Sequence, residues 1–165
     1  MLRTKFFFIV FTVLFLSCVK DNNENTSDKI VFEGITSTDY NGAIISVDVT
    51  DWCFQDDWSV LETSLFTDEK ELTCNLDDFN YQIISYPNPC NGTFYLNLLK
   101  PEDSMLAIRV VDKNFNVLVS LDSIYVSSLA FDLTSLNFSN EIVRVYYKVF
   151  GEDCELRGHG DIKIN

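Results

Sequence analysis

Positive charge is scarce in this chain. Its 165 residues carry 12 Lys+Arg against 25 Asp+Glu, a formal charge of −13. A phosphate-binding surface needs clustered Lys and Arg, so the balance argues against nucleic acid as a partner. Proline and glycine are also few, at 3 and 6, while apolar residues make 47 % and aromatics 14 %. That composition excludes a disordered or low-complexity chain. Histidine occurs once, at His159, and no two Cys have Cys-x-x-Cys spacing. Both absences argue against zinc, and no metal or other cofactor is expected. No apolar run reaches the roughly 20 residues that a bilayer-spanning helix needs.

The longest apolar run stands at the front. Met1–Cys18 reads MLRTKFFFIVFTVLFLSC, with Arg3 and Lys5 ahead of Phe6–Leu16 and only Thr12 interrupting it. A basic start followed by a short apolar stretch is the layout of a secretory signal. The run ends in Leu16-Ser17-Cys18 and turns polar at once. This ending resembles the lipobox of bacterial lipoproteins. By that resemblance residues 1–17 are a signal peptide, Cys18 becomes the first mature residue, and its acyl chains anchor the protein in a membrane. An ordinary cleaved signal with a chance Cys is the alternative. The mature chain loses two positives and has a charge of 10 − 25 = −15. Residues 18–28 read as a flexible tether; the ten after Cys18 reach roughly 16–19 Å if coil-like. Lys20-Asp21-Asn22-Asn23-Glu24 resembles the Lys-plus-acidic signals that send some lipoproteins to the cell surface.

Four further Cys remain: Cys53, Cys74, Cys90 and Cys154. An even number in an exported chain suits two disulfides, with three pairings open. The favoured pairing is Cys53–Cys74 with Cys90–Cys154, worth roughly 3 and 4 kcal/mol by chain entropy.

Residues 29–79 read as a small α+β lead segment packed on a sandwich. Ala43–Val49 alternates like a strand, with Ile45, Val47 and Val49 on one face. Trp58, Leu61 and Leu65 recur at helical spacing, and Ser59 with Glu62 has capping-box spacing. These predict a short helix near 57–66 whose Trp/Leu stripe packs on a sheet. Thr67–Asn80 is an acidic connection.

From residue 80 the pattern is strand after strand. Tyr81–Tyr86 is the first. Phe94, Leu96 and Leu98 then alternate with Thr93, Tyr95 and Asn97, and Leu106, Ile108 and Val110 with Ala107, Arg109 and Val111. Shorter runs follow at Val117–Val119, Ser123–Val126 and Leu129–Leu133. In Ile142–Phe150 the residues Val143, Val145, Tyr147 and Val149 face in, while Arg144, Tyr146 and Lys148 face out. Asp161–Ile164 closes the chain. About seven short strands at turn spacing predict an antiparallel β-sandwich.

Tyr86-Pro87-Asn88-Pro89 with Gly92 three further on resembles the opening signature of the C-terminal sorting domain of type IX secretion. Segments near Arg109–Asn114, Phe131–Leu136, Ile142–Val149 and Ile162–Ile164 resemble later parts of that domain in the same order. The resemblance covers about residues 80–165. It implies an immunoglobulin-like β-sandwich and, for a secreted cargo, recognition by the secretion machinery and removal of the tail. A lipobox at the front favours a different use: a small lipoprotein of the outer membrane or cell surface, or of the periplasmic face, with the sandwich as its body. Asp103-Ser104-Met105 and Asp122-Ser123-Ile124 resemble the O-glycosylation motif of the phylum that carries type IX secretion, making Ser104 and Ser123 candidates.

Two constellations could carry chemistry. His159 lies between Gly158 and Gly160 and before Asp161, which could orient an imidazole. The plainer reading is a tight turn ahead of the last strand. Asp48, Asp51, Asp56 and Asp57 surround Trp52 and Trp58, and read as helix capping and a solvated face. No catalytic residue is expected. The partners expected are a membrane, through the N-terminal lipid, and a protein or glycan ligand.

Overall fold

The computed structural model describes residues 30–165 except 56, 69–71 and 76–80. The expected signal peptide, Cys18 and the 18–28 tether lie outside the described residues, as does Asp56. The elements run β1 (Ser37–Thr38), β2 (Ile44–Ser46), β3 (Cys53–Phe54), α1 (Val60–Thr63), β4 (Leu72–Thr73), β5 (Gln82–Tyr86), β6 (Thr93–Leu99), β7 (Met105–Val111), β8 (Val117–Ile124), β9 (Ser128–Asp132), β10 (Glu141–Phe150) and β11 (Cys154–Ile164). A 3₁₀ turn follows β9 at Thr134–Leu136.

The fold is mainly β, an antiparallel sandwich with a minor helical segment. One sheet has the order β3-β11-β10-β7-β8, with β4 also on β11, and the other has the order β5-β6-β9. Among the described strands the pairings are antiparallel except the short parallel contact of β4 with β11, and an isolated parallel bridge joins Cys90 to Ile164. The alternation read from the sequence sets the core between the sheets. Phe94, Leu96 and Leu98 of β6 meet Ile108 and Val110 of β7, Val143, Val145, Tyr147 and Val149 of β10, and Leu156 and Ile162 of β11. Phe94 and Phe131 stack at 4.9 Å.

The reverse face of the large sheet is buried as well. Ala107, Val111, Tyr146 and Phe150 form a second core with Trp58 and Phe66 of the lead segment. The expectation that Arg144, Tyr146 and Lys148 face outward holds for the strand but not for solvent. All three are buried under the lead segment, and Lys148 is 0 % exposed. The cationic side chains hold that segment by its carbonyls. Arg144 Nη2 donates to Val31 O (3.1 Å), Arg109 Nε to Leu65 O (2.9 Å) and Lys148 Nζ to Asp68 O (2.9 Å). Their charges are met by Asp161, Asp122 and Glu155 respectively.

Several local expectations need correcting. The helix near 57–66 is one turn, Val60–Thr63, although the Ser59/Glu62 capping box forms as read. Leu61 is exposed, so the Trp/Leu stripe reduces to Trp58 and the half-buried Leu65. Residues 117–124 make one strand where two runs were expected, with a break in register against β7 and a positive φ at Ser123. The turn expected at Gly158/Gly160 is the middle of β11. A Cβ on Gly160 would stand 2.1 Å from the Trp52 ring, and one on Gly158 would stand 2.3 Å from Cys53 O. Glycine is there because lead-segment groups press on the strand.

Candidate functional site

Two gatherings of polar side chains among the described residues bear on function. The first is a buried junction where the lead segment crosses β10 and β11. Arg144 Nε and Nη2 donate to the two oxygens of Asp161 at 2.6 and 2.8 Å. Asp51 accepts from the Thr36 and Asp161 backbone N–H groups, both at 2.7 Å. Tyr146 donates its hydroxyl to Glu62 at 2.9 Å, and Glu62 closes the capping box with Ser59. The His159 ring lies 5.7 Å from that of Tyr146, and its buried Nδ1 has no hydrogen-bond partner among the described residues.

Burial governs how these groups titrate. It pushes Asp51 up to about 6, against the pull of its two backbone donors. Burial, helped by Arg144, holds His159 down to about 3, so the imidazole is neutral. The Tyr146 phenol is raised, again by burial, and keeps its proton. Asp161 does not orient His159 as the sequence suggested; its carboxylate is bound by Arg144. The junction ties chain segments together.

Asn88 does similar work. It is 0 % exposed. Its Nδ2 donates to Thr36 O (2.9 Å) and Asp161 O (2.8 Å), and its Oδ1 accepts from Lys163 N (3.0 Å). Its backbone pairs with Thr38. The bonds before Pro87 and Pro89 are both cis. Gly92 has φ +91 and packs on Thr134. The Tyr86–Gly92 motif is thus the seam between the lead segment, β5 and the terminal strand.

The remaining sequence candidates scatter. The favoured Cys pairing is not formed: Cys74 bonds Cys154, and Cys53 and Cys90 are free thiols. β4 lies against the start of β11, which brings Cys74 to Cys154, while Cys53 faces the middle of β11 at His159. Ser104 is buried and donates to Pro101 O at 2.7 Å, a poor acceptor position for a glycan. Ser123 is exposed. Asp48 is half-buried and its carboxylate is bonded to Thr50, Asp51 is buried and bonded to the Thr36 and Asp161 N–H groups, and Asp57 is exposed. Among the described residues no group of three or more His, Cys, Asp or Glu could hold a metal ion.

The second place is the outer face of β5-β6-β9, which sequence reasoning did not single out. Register sets Tyr86 beside Tyr95 and Tyr95 beside Ala130, then Ile84 beside Asn97 and Asn97 beside Ser128. Tyr86 and Tyr95 stack at 5.6 Å. Asn97 donates to the Tyr86 hydroxyl at 3.1 Å and accepts from Ser128 at 2.7 Å. An open depression of about 490 Å³ lies beside the Tyr95/Ala130 row, which is not part of its lining; Ile84, Asn97, Leu99, Ser127 and Ser128 are. The alternation of β6 already implied an outward Thr93/Tyr95/Asn97 row; what that row faces required the register of β9.

No family profile and no curated protein matches the chain. A solved structure from Bacteroides vulgatus, a DUF3244 family protein described as an immunoglobulin-like β-sandwich, is similar at 13 % identity and a TM-score of 0.35. The similarity covers 68 % of this chain and 96 % of that one. The fold stated above rests on the strand pairing of this chain.

Proposed function

We propose that this chain is a lipid-anchored protein of a Gram-negative cell envelope, tethered through Cys18 at the outer membrane or cell surface. Its role is structural, adhesive or ligand-binding rather than enzymatic. The front of the sequence supports the anchor: a basic start, an apolar run too short to span, Leu16-Ser17-Cys18, and a polar tether.

The observation that favours this reading over a cargo with a removable tail is the place of β11. It lies between β10 on one side and β3 with β4 on the other. Trp58 and Phe66 have their apolar partners on β7 and β10. Cutting near residue 80 strips the lead segment of both sheets and of the Cys74–Cys154 bond. A tail meant for removal leaves its cargo folded; this one takes the core with it.

Intact-cell protease shaving combined with palmitate labelling of wild type and Cys18→Ser tests the reading. Label present in wild type, absent in the variant, on a full-length body supports it. Unlabelled protein ending near residue 80 in the medium supports the secretion-cargo alternative.

A further inference from the structure

We infer that the outer face of β5-β6-β9 binds a neutral oligosaccharide, one pyranose ring lying over Ala130 against the free side of Tyr95 with its hydroxyls on Asn97 and Ser128. This goes beyond the anchoring reading and does not depend on it.

The geometry is set by the sheet. Tyr95 has Tyr86 stacked on one flank and only the Ala130 methyl across from it on the other. Tyr95 is 44 % exposed, and Ala130 is exposed beside it. The ring therefore keeps an open side with space next to it. A pyranose has an apolar C–H face that stacks on an aromatic ring and an edge of hydroxyls that donate and accept together. The next row along the strands, about 6.7 Å away, supplies the matching groups. The Asn97 amide and the Ser128 hydroxyl each both donate and accept, and their mutual bond holds them in place. The Tyr86 hydroxyl is fixed in turn by Asn97. Gly42, at φ +84, lets the β1–β2 turn close on the Tyr86 ring, where a Cβ would stand 3.3 Å from it, so Tyr86 is backed from both sides.

Charge selects the ligand class. The depression is lined by amides, hydroxyls and aliphatic groups without a charged side chain. Asp132 flanks the Tyr95/Ala130 row one step along β9, and the whole chain carries −13. An anionic saccharide is repelled, and nothing in the depression selects a cation.

The test uses the full chain purified in detergent, whether or not it is acylated. Titration calorimetry is run with maltoheptaose, cellohexaose and mannohexaose, and with an oligogalacturonate as the anionic comparison. Binding of at least one neutral probe is expected at millimolar affinity or better. Tyr95→Ala and Ala130→Leu should each weaken it at least about tenfold, the second by filling the space rather than removing a contact. Tyr95→Phe should retain it, since the ring does the stacking. Unchanged thermal midpoints show that the variants are folded; if Tyr95→Ala does not fold, Ala130→Leu on its exposed strand decides. Absence of heat with all three neutral probes up to about 10 mM overturns the inference. So does affinity that survives both weakening substitutions, or tighter binding of the oligogalacturonate.

Discussion

Replacing His159 with glutamine should change how stability responds to acid. In the folded chain His159 is held near 3 by burial, so between that value and its ordinary value the unfolded chain binds a proton that the fold refuses. Its contribution is complete above about pH 7 and declines as pH falls through 6.5 toward 3. From pH 7 to pH 5 that loss is about 2 kcal/mol. Asp51 acts the other way. Its folded value, about 6, lies above the ordinary carboxylate range, so the fold binds a proton before the unfolded chain does. Acidification from pH 7 to pH 5 therefore returns about 1 kcal/mol through Asp51. In wild type Asp51 offsets about half of the His159 loss. In His159→Gln the first contribution is gone, and relative to wild type the variant should gain about 2 kcal/mol over this interval. For a chain of this size that is about 4–8 °C in Tm. Thermal unfolding followed by circular dichroism at pH 7, 6 and 5 reads it directly. Asp51→Asn should shift the slope in the opposite sense, by about 1 kcal/mol. Parallel pH profiles for wild type and His159→Gln would contradict this and mean that the folded chain protonates the imidazole as readily as the unfolded one.

Three further outcomes follow from the packing. Cys154→Ser opens a bridge whose ends are 80 residues apart, and chain entropy puts the loss at about 4.5 kcal/mol; urea unfolding of the reduced and oxidised chain measures it. Gly160→Ala drives a methyl into the Trp52 ring and should cost about 3 kcal/mol, with a shift in Trp emission as the ring leaves β11. Asn88→Ala leaves Thr36 O, Asp161 O and Lys163 N without their partner and should cost about 3 kcal/mol in the same assay.

The sandwich was legible because half-buried strands alternate, and β6 and the inner face of β10 do so without exception. The outer face of β10 was misread for a physical reason. Arg144 and Lys148 carry charges that ordinarily mark solvent, and only the approach of the lead segment makes them buried pegs for its carbonyls. The aromatics Trp58 and Phe66 were the available signal that something must cover a second face. Gly158 and Gly160 suggested a turn because glycine permits one, whereas here it admits a carbonyl and an indole. The segment from β2 onward shows the same limit in reverse: Ile45 of β2, and Val47 and Val49 beyond its end, share the pattern of a buried strand yet lie in solvent. Disulfide pairing could not be read, since it depends on which short lead strand meets which part of β11. The Tyr95–Asn97–Ser128 row was half visible, because a strand pattern shows which side chains project together but not what stands across from them.

Lipid anchoring at Cys18 is tested most directly by the molecular mass of the protein isolated from its own membranes. It predicts a chain that begins at Cys18, carries fatty acyl groups on that residue, and keeps β11. A species without acyl groups, or one whose C-terminus falls near residue 80, would contradict it.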